Sequence, residues 1–171
     1  SISVTTRHPR KSEKNNIDYI FVDEKSFGKM IKEDRFLEHA EVFGNKYGTL
    51  KQTVTKKLEK GKDILFDIDW QGTQELKEKE SKHLVSVFVL PPSIVELEKR
   101  LLNRAQDSKE VVKKRMSEAT SEITHWAEYD YVIINDDLEQ TLQKLIAILT
   151  AERLKRIRQT GLNSFVRKVI F

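Results

Sequence analysis

The chain predicts an α/β fold built on a parallel sheet, and three observations carry the prediction. Short apolar runs recur at residues 64–66, 84–90 and 131–134. Each reads as a strand buried on both faces, the habit of parallel sheets. Helical patterns separate these runs, and strands alternating with helices imply βαβ units. The first run ends in Asp67-Ile-Asp69. Side chains alternate along a strand, so both carboxylates share one face at its carboxyl end, where ligands sit in such sheets. Asp is also favoured at helix starts, so the pair reads equally as caps for the helix that follows.

The elements follow in order. Residues 1–6 are β-rich, and Pro9 with the polar stretch to Asn16 makes a loop. Residues 19–22 read as a strand. Asp23 caps a helix that turns Phe27, Met30 and Ile31 to one face. Residues 36–43 and 46–49 form a strand pair around Gly44-Asn45. Residues 51–60 are helical with Val54 and Leu58 inward, and a second helix runs over 71–80. Pro91-Pro92-Ser93 stops the 84–90 strand and starts a helix with Ile94, Leu97 and Leu101 aligned. Asp107-Ser108 restarts a helix carrying Val112, Met116, Ala119 and Ile123. After the last strand, Asn135-Asp136-Asp137 caps a long helix with Leu138, Leu142, Leu145 and Leu149 inward.

Composition narrows the function. The 171 residues suit one domain with a real core. No apolar run approaches the roughly 20 residues that span a bilayer. The chain has no cysteine, which excludes disulfides and thiolate zinc and suits a reducing cytoplasm. His8, His39, His83 and His125 do not pair at metal-ligand spacing. The net charge of +4 hides an asymmetry: residues 99–115 hold seven Lys/Arg against two acids, and residues 150–171 hold six against one. Such a segment meets phosphate or lies as a solvated helix face. Aromatics are too scarce for a nucleic-acid platform.

Residues 1–50 are rich in placed polar groups. Arg7 and Arg10 flank Pro9, and two guanidiniums in one loop make a fork for an oxyanion, preferably a phosphate. Tyr19 and Tyr47 read singly as core aromatics, and Glu38 as the outward residue of its strand. Taken together, Thr5-Thr-Arg-His-Pro-Arg10, Asp18-Tyr19, Phe36-Leu-Glu-His-Ala-Glu-Val-Phe-Gly-Asn45, Tyr47-Gly-Thr49, Asp67-Ile-Asp-Trp-Gln-Gly72, Pro91-Pro-Ser93 and Ile134-Asn-Asp-Asp137 closely resemble the guanylate kinases in their bacterial form. The resemblance runs in order from Ser1 to about Arg156.

That resemblance implies a P-loop nucleoside monophosphate kinase-like parallel sheet flanked by helices, with a small β-rich GMP-binding part and a helical lid. The implied single domain, 1–171, divides into a GMP-binding part at 3–50, a core at 51–98 and 119–160, and a lid at 99–118. The family transfers the terminal phosphate of ATP to GMP with Mg2+. Carried onto matching positions, Ser3, Glu38 and Asp69 read guanine. A carboxylate such as Glu38 accepts guanine's adjacent N1–H and N2–H, and a hydroxyl such as Ser3 or Thr49 meets O6 or N2. Arg7, Arg10, Tyr19 and Tyr47 hold the GMP phosphate. Asp67 serves the phosphates and magnesium through metal-bound water. Arg100, Arg104 and Arg115 neutralise the transferring phosphoryl group. Arg104 also contacts ATP, as does Asn135 near base and ribose, where a helix cap fits Asn135 equally well.

Two departures stand out. The family has Gly where this chain has Ala105. It also begins with a central strand and a phosphate-binding loop, and no Gly-x-x-x-x-Gly-Lys-Ser/Thr occurs here. The expectation is therefore a portion of a longer protein, catalytic when full-length. The alternatives are a non-catalytic guanylate-kinase-like interaction module, which would typically lose acids at the Asp67-Asp69 motif, or a truncated GMP-binding remnant. The expected partners are GMP and ATP, with neither nucleic acid nor membrane. The apolar tail at 162–171 packs on its own core or on a second copy in a homo-oligomer.

Overall fold

A computed structural model describes residues 1–104 and 109–170. It resolves into two compact units, Ser1–Leu84 and Val85–Phe171.

The first unit holds β1 (Val4–Thr5), β2 (Ile20–Phe21), α1 (Glu24–Lys32), β3 (Phe36–Val42), β4 (Asn45–Leu50), α2 (Lys51–Leu58) and α3 (Trp70–Glu80). Its sheet runs β2-β1-β4-β3, with β1 parallel to β2 and antiparallel to β4, and β3 antiparallel to β4. The Asp23 carboxylate starts α1 by accepting from the Ser26 N–H at 2.6 Å. The helix thereby turns Phe27 and Met30 onto Val4 and Phe36 as the core, and the Phe27 and Phe36 rings stack at 4.6 Å.

The β3–β4 pair exists as expected, but its turn lies one residue earlier. Val42 pairs with Asn45, so Phe43-Gly44 forms the two-residue loop, and both have positive φ (52° and 72°). That is the twist-matched hairpin geometry. Nearer its start, β3 carries a bulge: Phe36 pairs with Leu50, yet Glu38 pairs with Thr49. In a regular strand, Phe36 and Glu38 would share a face. The extra residue separates them. Phe36 packs into the core beneath Gly48, where an added Cβ would lie 2.7 Å from its ring, and Glu38 is left to face the other way.

The second unit holds β5 (Val87–Leu90), α4 (Ile94–Arg104), α5 (Lys109–Ile123), a 3-10 turn at Thr124–Glu128, β6 (Tyr131–Ile134), α6 (Leu138–Leu154), a second such turn at Arg156–Arg158, and α7 (Leu162–Ile170). β5 and β6 pair in parallel, as predicted, from Val87↔Tyr131 to Leu90↔Ile134. The Asp130 carboxylate ties the strand entries together by accepting from Ser86 N–H (2.8 Å) and Oγ–H (2.7 Å).

Several expectations are corrected. Residues 62–69 form no strand: Leu65 is 83% exposed, and neither sheet among the described residues extends to them. An apolar run becomes a strand only where a neighbouring backbone completes its ladder. Val89, Val132 and Ile134 are exposed and lie on both faces of the pair, so β5 and β6 are not the strands buried on both faces that the sequence predicts. Ile31, Leu58 and Ile94 also face solvent. In α6 the leucine row is out of phase with the covered stripe. Thr141, Leu145, Ile148 and Glu152 are covered at three- and four-residue steps, while Leu138, Leu142 and Leu149 are exposed. Polar anchors set that phase: Thr141 Oγ1 donates to Asn135 Oδ1 at 3.1 Å, and Tyr131 Oη donates to Glu152 Oε1 at 2.6 Å. In α7, Phe165, Val166, Val169 and Ile170 are exposed rather than packed into a core. The predicted helix start at Asp107-Ser108, with Ala105, lies outside the described residues.

Candidate active site

Three adjacent strands of the first unit place polar side chains in one row. Glu38 lies directly across from Thr49. Val4 pairs with Gly48 and Thr5 with Tyr47, so the register continued by one residue sets Ser3 across from Thr49. Residues directly opposite in an antiparallel ladder share a face. Ser3, Thr49 and Glu38 thus form one row, with Tyr47 a step along the same face.

Glu38 is the unusual member. It is 2% exposed, and its Oε1 has no hydrogen-bond partner, nor does Thr49 Oγ1. Burial pushes its carboxyl pKa up. The neighbouring Thr49 opposes the shift, and the charges of Glu75 and Asp69 add to it. A buried acceptor without a donor is costly to fold, which marks the position as serving something other than stability.

Asp69 joins this group from the start of α3. Its Oδ1 accepts from the Gly72 N–H at 3.0 Å and its Oδ2 from Gln71 Nε2–H at 2.9 Å. The capping role open in the sequence is therefore real. Gly72 itself is tightly placed: an added Cβ would lie 2.7 Å from Glu38 Oε2 and 3.4 Å from Asp69 Oδ1.

A second cluster gathers the arginine loop and two tyrosines. Arg7 Nη2 donates to Glu13 Oε1 at 2.8 Å and Nη1 to the His8 carbonyl at 2.8 Å. Its guanidinium lies over the Tyr19 ring at 5.3 Å, and the Tyr19 and Tyr47 rings meet edge-on at 6.2 Å. Burial works against the Arg7 charge, but Glu13 and the neighbouring Tyr47 hydroxyl more than offset it, so its pKa rises. Arg10 joins through its backbone N–H, which donates to Glu13 Oε2 at 2.7 Å, and through an ion pair at 3.5 Å. Burial raises the Tyr19 pKa, with Tyr47 and the charge of Asp67 adding to it. Asp67 is therefore close to this cluster, and it is exposed.

The second unit holds the remaining predicted residues. Arg100 Nε donates to Glu96 Oε1 at 2.8 Å, and its Nη2 donates to the Asn135 carbonyl at 3.0 Å. Asn135 does not cap α6. Asp137 does, accepting from the Gln140 N–H at 2.8 Å. Arg104 ends α4, and Arg115 is half-buried in α5.

Sequence reasoning passed over two participants. Glu13 ties both arginines, and its signal was the spacing Arg7, Arg10, Glu13, which gathers three charges in one loop. Gly72 ends the Asp67-Ile-Asp-Trp-Gln-Gly72 motif, which assigns it no role of its own. Its signal was a glycine in the first turn of a helix, where nothing local requires one. Among the described residues, no group of three or more His, Asp or Glu is placed to hold a metal ion.

A model of the guanylate kinase family matches residues 1–152. The guanylate kinase of Nitrobacter winogradskyi is 53% identical over 169 residues, covering 99% of this chain and 77% of its own length. That of Paramagnetospirillum magneticum is 54% identical over 169 residues, covering 99% of this chain and 79% of its own. The crystal structure of guanylate kinase from Anaplasma phagocytophilum superposes with a TM-score of 0.85 at 40% identity, covering 98% of this chain and 82% of the other.

Proposed function

The chain belongs to the guanylate kinase family, and on that premise we propose how its own residues serve the transfer of a phosphoryl group from ATP to GMP. In that reaction an oxygen of the GMP phosphate attacks the terminal phosphorus of ATP. The bridging P–O bond breaks, and GDP and ADP result. The protein contributes position and charge neutralisation rather than covalent chemistry.

The observation that carries the reading is the buried Glu38 carboxylate, whose Oε1 has no hydrogen-bond partner. Guanine offers N1–H and N2–H side by side, and one carboxylate accepts both. Adenine has an acceptor at N1 and would leave the carboxylate buried and unsatisfied, which is the strong form of discrimination. Ser3 and Thr49, in the same row, offer hydroxyls to O6 and N2. Asp69 supports the base edge while it caps α3. Arg7 and Arg10 grip the phosphate with guanidinium forks, and Tyr19 and Tyr47 complete that cradle. Arg100, Arg104 and Arg115 stabilise charge on the transferring group from a lid at about 99–118, and Asn135 lies toward the ATP base.

Magnesium is the cation such phosphates carry. The exposed Asp67 carboxylate is a hard oxygen donor of the kind Mg2+ accepts while keeping several waters. Asp67 would hold such an ion indirectly, through metal-bound water. When bound, the ion screens charge on the ATP phosphates.

Phosphoryl transfer by the protein with GMP, set against AMP, tests the reading. A strong GMP preference is expected, and equal use of both nucleotides would overturn the role of Glu38. Asp69→Asn separates recognition from capping. Asn caps helices as well as Asp does, so the thermal midpoint should hold. GMP affinity should fall about ten-fold, the scale of one hydrogen bond to a charged group. A variant that unfolds, or keeps its GMP affinity, would leave Asp69 only its cap.

A further inference from the structure

Among the described residues β3 is an edge of its sheet, so the backbone groups on its outer side have no ladder partner there. Helix α3 supplies partners from its side chains. Lys79 Nζ donates to the Leu37 carbonyl at 2.8 Å, and Glu75 Oε2 accepts from the His39 N–H at 2.7 Å. Lys79 Nζ also meets Glu75 Oε1 at 2.6 Å, which closes the clasp. Leu37 and His39 are the two neighbours of Glu38, so the clasp grips the backbone on both sides of that residue. Gly72 lies on the same helical face as Glu75 and Lys79, at steps of three and four. It brings α3 to the Glu38 carboxyl itself, with no room for a Cβ between them.

Leu37 is also the extra residue of the bulge. A bulge aims a side chain only if its backbone is held, because the ladder is locally disrupted. Glu38 has no hydrogen bond on Oε1 to fix its direction. Its placement therefore depends on the neighbouring Thr49, on the backbone grip and on the space at Gly72.

The geometry points to the Gly72–Glu75–Lys79 stripe of α3 as a positioning device for Glu38, and so as a determinant of guanine selectivity that does not touch the nucleotide. The inference rests on the reading of Glu38 as the acceptor of the guanine base. Both arms of a two-point contact must line up, and a carboxylate displaced by a fraction of its reach keeps one arm and loses the other. Glu75 keeps its charge because Lys79 and the His39 N–H outweigh its burial, so the clasp persists at neutral pH.

The test uses inosine monophosphate, which keeps N1–H and O6 and lacks the 2-amino group, beside GMP in equilibrium titrations of the whole chain. Gly72→Ala places a methyl against Glu38 Oε2, the far end of a flexible side chain, so the fold absorbs it by moving that carboxylate. Its thermal midpoint should stay near that of the wild type, while the GMP-to-IMP affinity ratio falls about ten-fold, the worth of one hydrogen bond to a charged group. Glu75→Ala should lower the same ratio, and Glu75→Gln should restore most of it, because the amide oxygen still accepts from His39 N–H. If Glu75→Ala fails to fold, Gly72→Ala decides alone. Equal loss of GMP and IMP affinity, or an unchanged ratio, overturns the clasp. A wild-type chain with no preference between the two overturns the reading of Glu38 and the clasp with it, whereas a wild-type preference kept by every variant overturns the clasp only.

Discussion

Glu38→Gln is expected to make the protein more stable and nearly blind to guanine. The two effects share one cause. Glu38 is buried with an oxygen that nothing satisfies, and burial raises its pKa. A carboxyl whose folded pKa lies above its unfolded value binds its proton more tightly when folded, so it destabilises the fold increasingly as pH rises through that window. The neutral amide escapes this cost, and its NH2 can donate to Thr49 Oγ1, which also lacks a partner. The gain should be about 1–3 kcal/mol above the folded pKa, on the scale of one unsatisfied buried group. It should vanish below the ordinary carboxylate range. In recognition the same change sets a donor against guanine's donors. With hydrogen bonds to charged groups worth about 1.5–3 kcal/mol each, kcat/KM for GMP should fall about a hundred- to a thousand-fold. Thermal midpoints between pH 5 and 8, beside steady-state kinetics with GMP and AMP, measure both halves. A less stable variant, or equal loss with both nucleotides, would show that Glu38 is only a structural acid.

Such sites read well from sequence because their signals are local. Asp23, Asp69 and Asp137 cap the helices the pattern placed after them, and Tyr131–Ile134 forms the predicted strand. Arg7 and Arg10 stand in one loop and Tyr19 and Tyr47 in short motifs, and the first unit brings the four into one cluster. What failed was whatever depended on a neighbour. Leu65 sits in a strand-like run, yet no ladder reaches it. The leucine row of α6 is a sound helical face, but Glu152 and Thr141 bind Tyr131 and Asn135 and turn another face inward. The Gly72–Glu75–Lys79 stripe was invisible for the same reason. Its residues carry no signal of their own until β3 is seen to lie against them.

Arg7→Ala should produce the largest loss in the phosphate cradle, larger than Arg10→Ala, although the sequence presents the two arginines as equals. Their surroundings differ. The Arg7 side chain is 15% exposed and lies over the Tyr19 ring, while that of Arg10 is 57% exposed. A charge–phosphate contact shielded from water is worth far more than one screened by it. Arg7→Ala should therefore cut kcat/KM for GMP about a hundred-fold or more, and Arg10→Ala about ten-fold, since each hydrogen bond to a charged group is worth about 1.5–3 kcal/mol. Guanosine, which has no phosphate, should bind both variants as it binds the wild type. A second readout follows from Glu13, whose pKa is lowered first by the Arg7 hydrogen bond. A depressed folded pKa contributes stability above the unfolded value that is lost as pH falls through the folded one. Arg7→Ala removes that contribution, so acid unfolding should begin at higher pH in the variant, and Arg10→Ala should shift it less. Equal effects from the two substitutions would mean that solvent reaches both guanidiniums alike and that the cradle is a surface pair. An unequal pair with unaltered guanosine binding would place the phosphate on Arg7, with Glu13 holding its guanidinium in line.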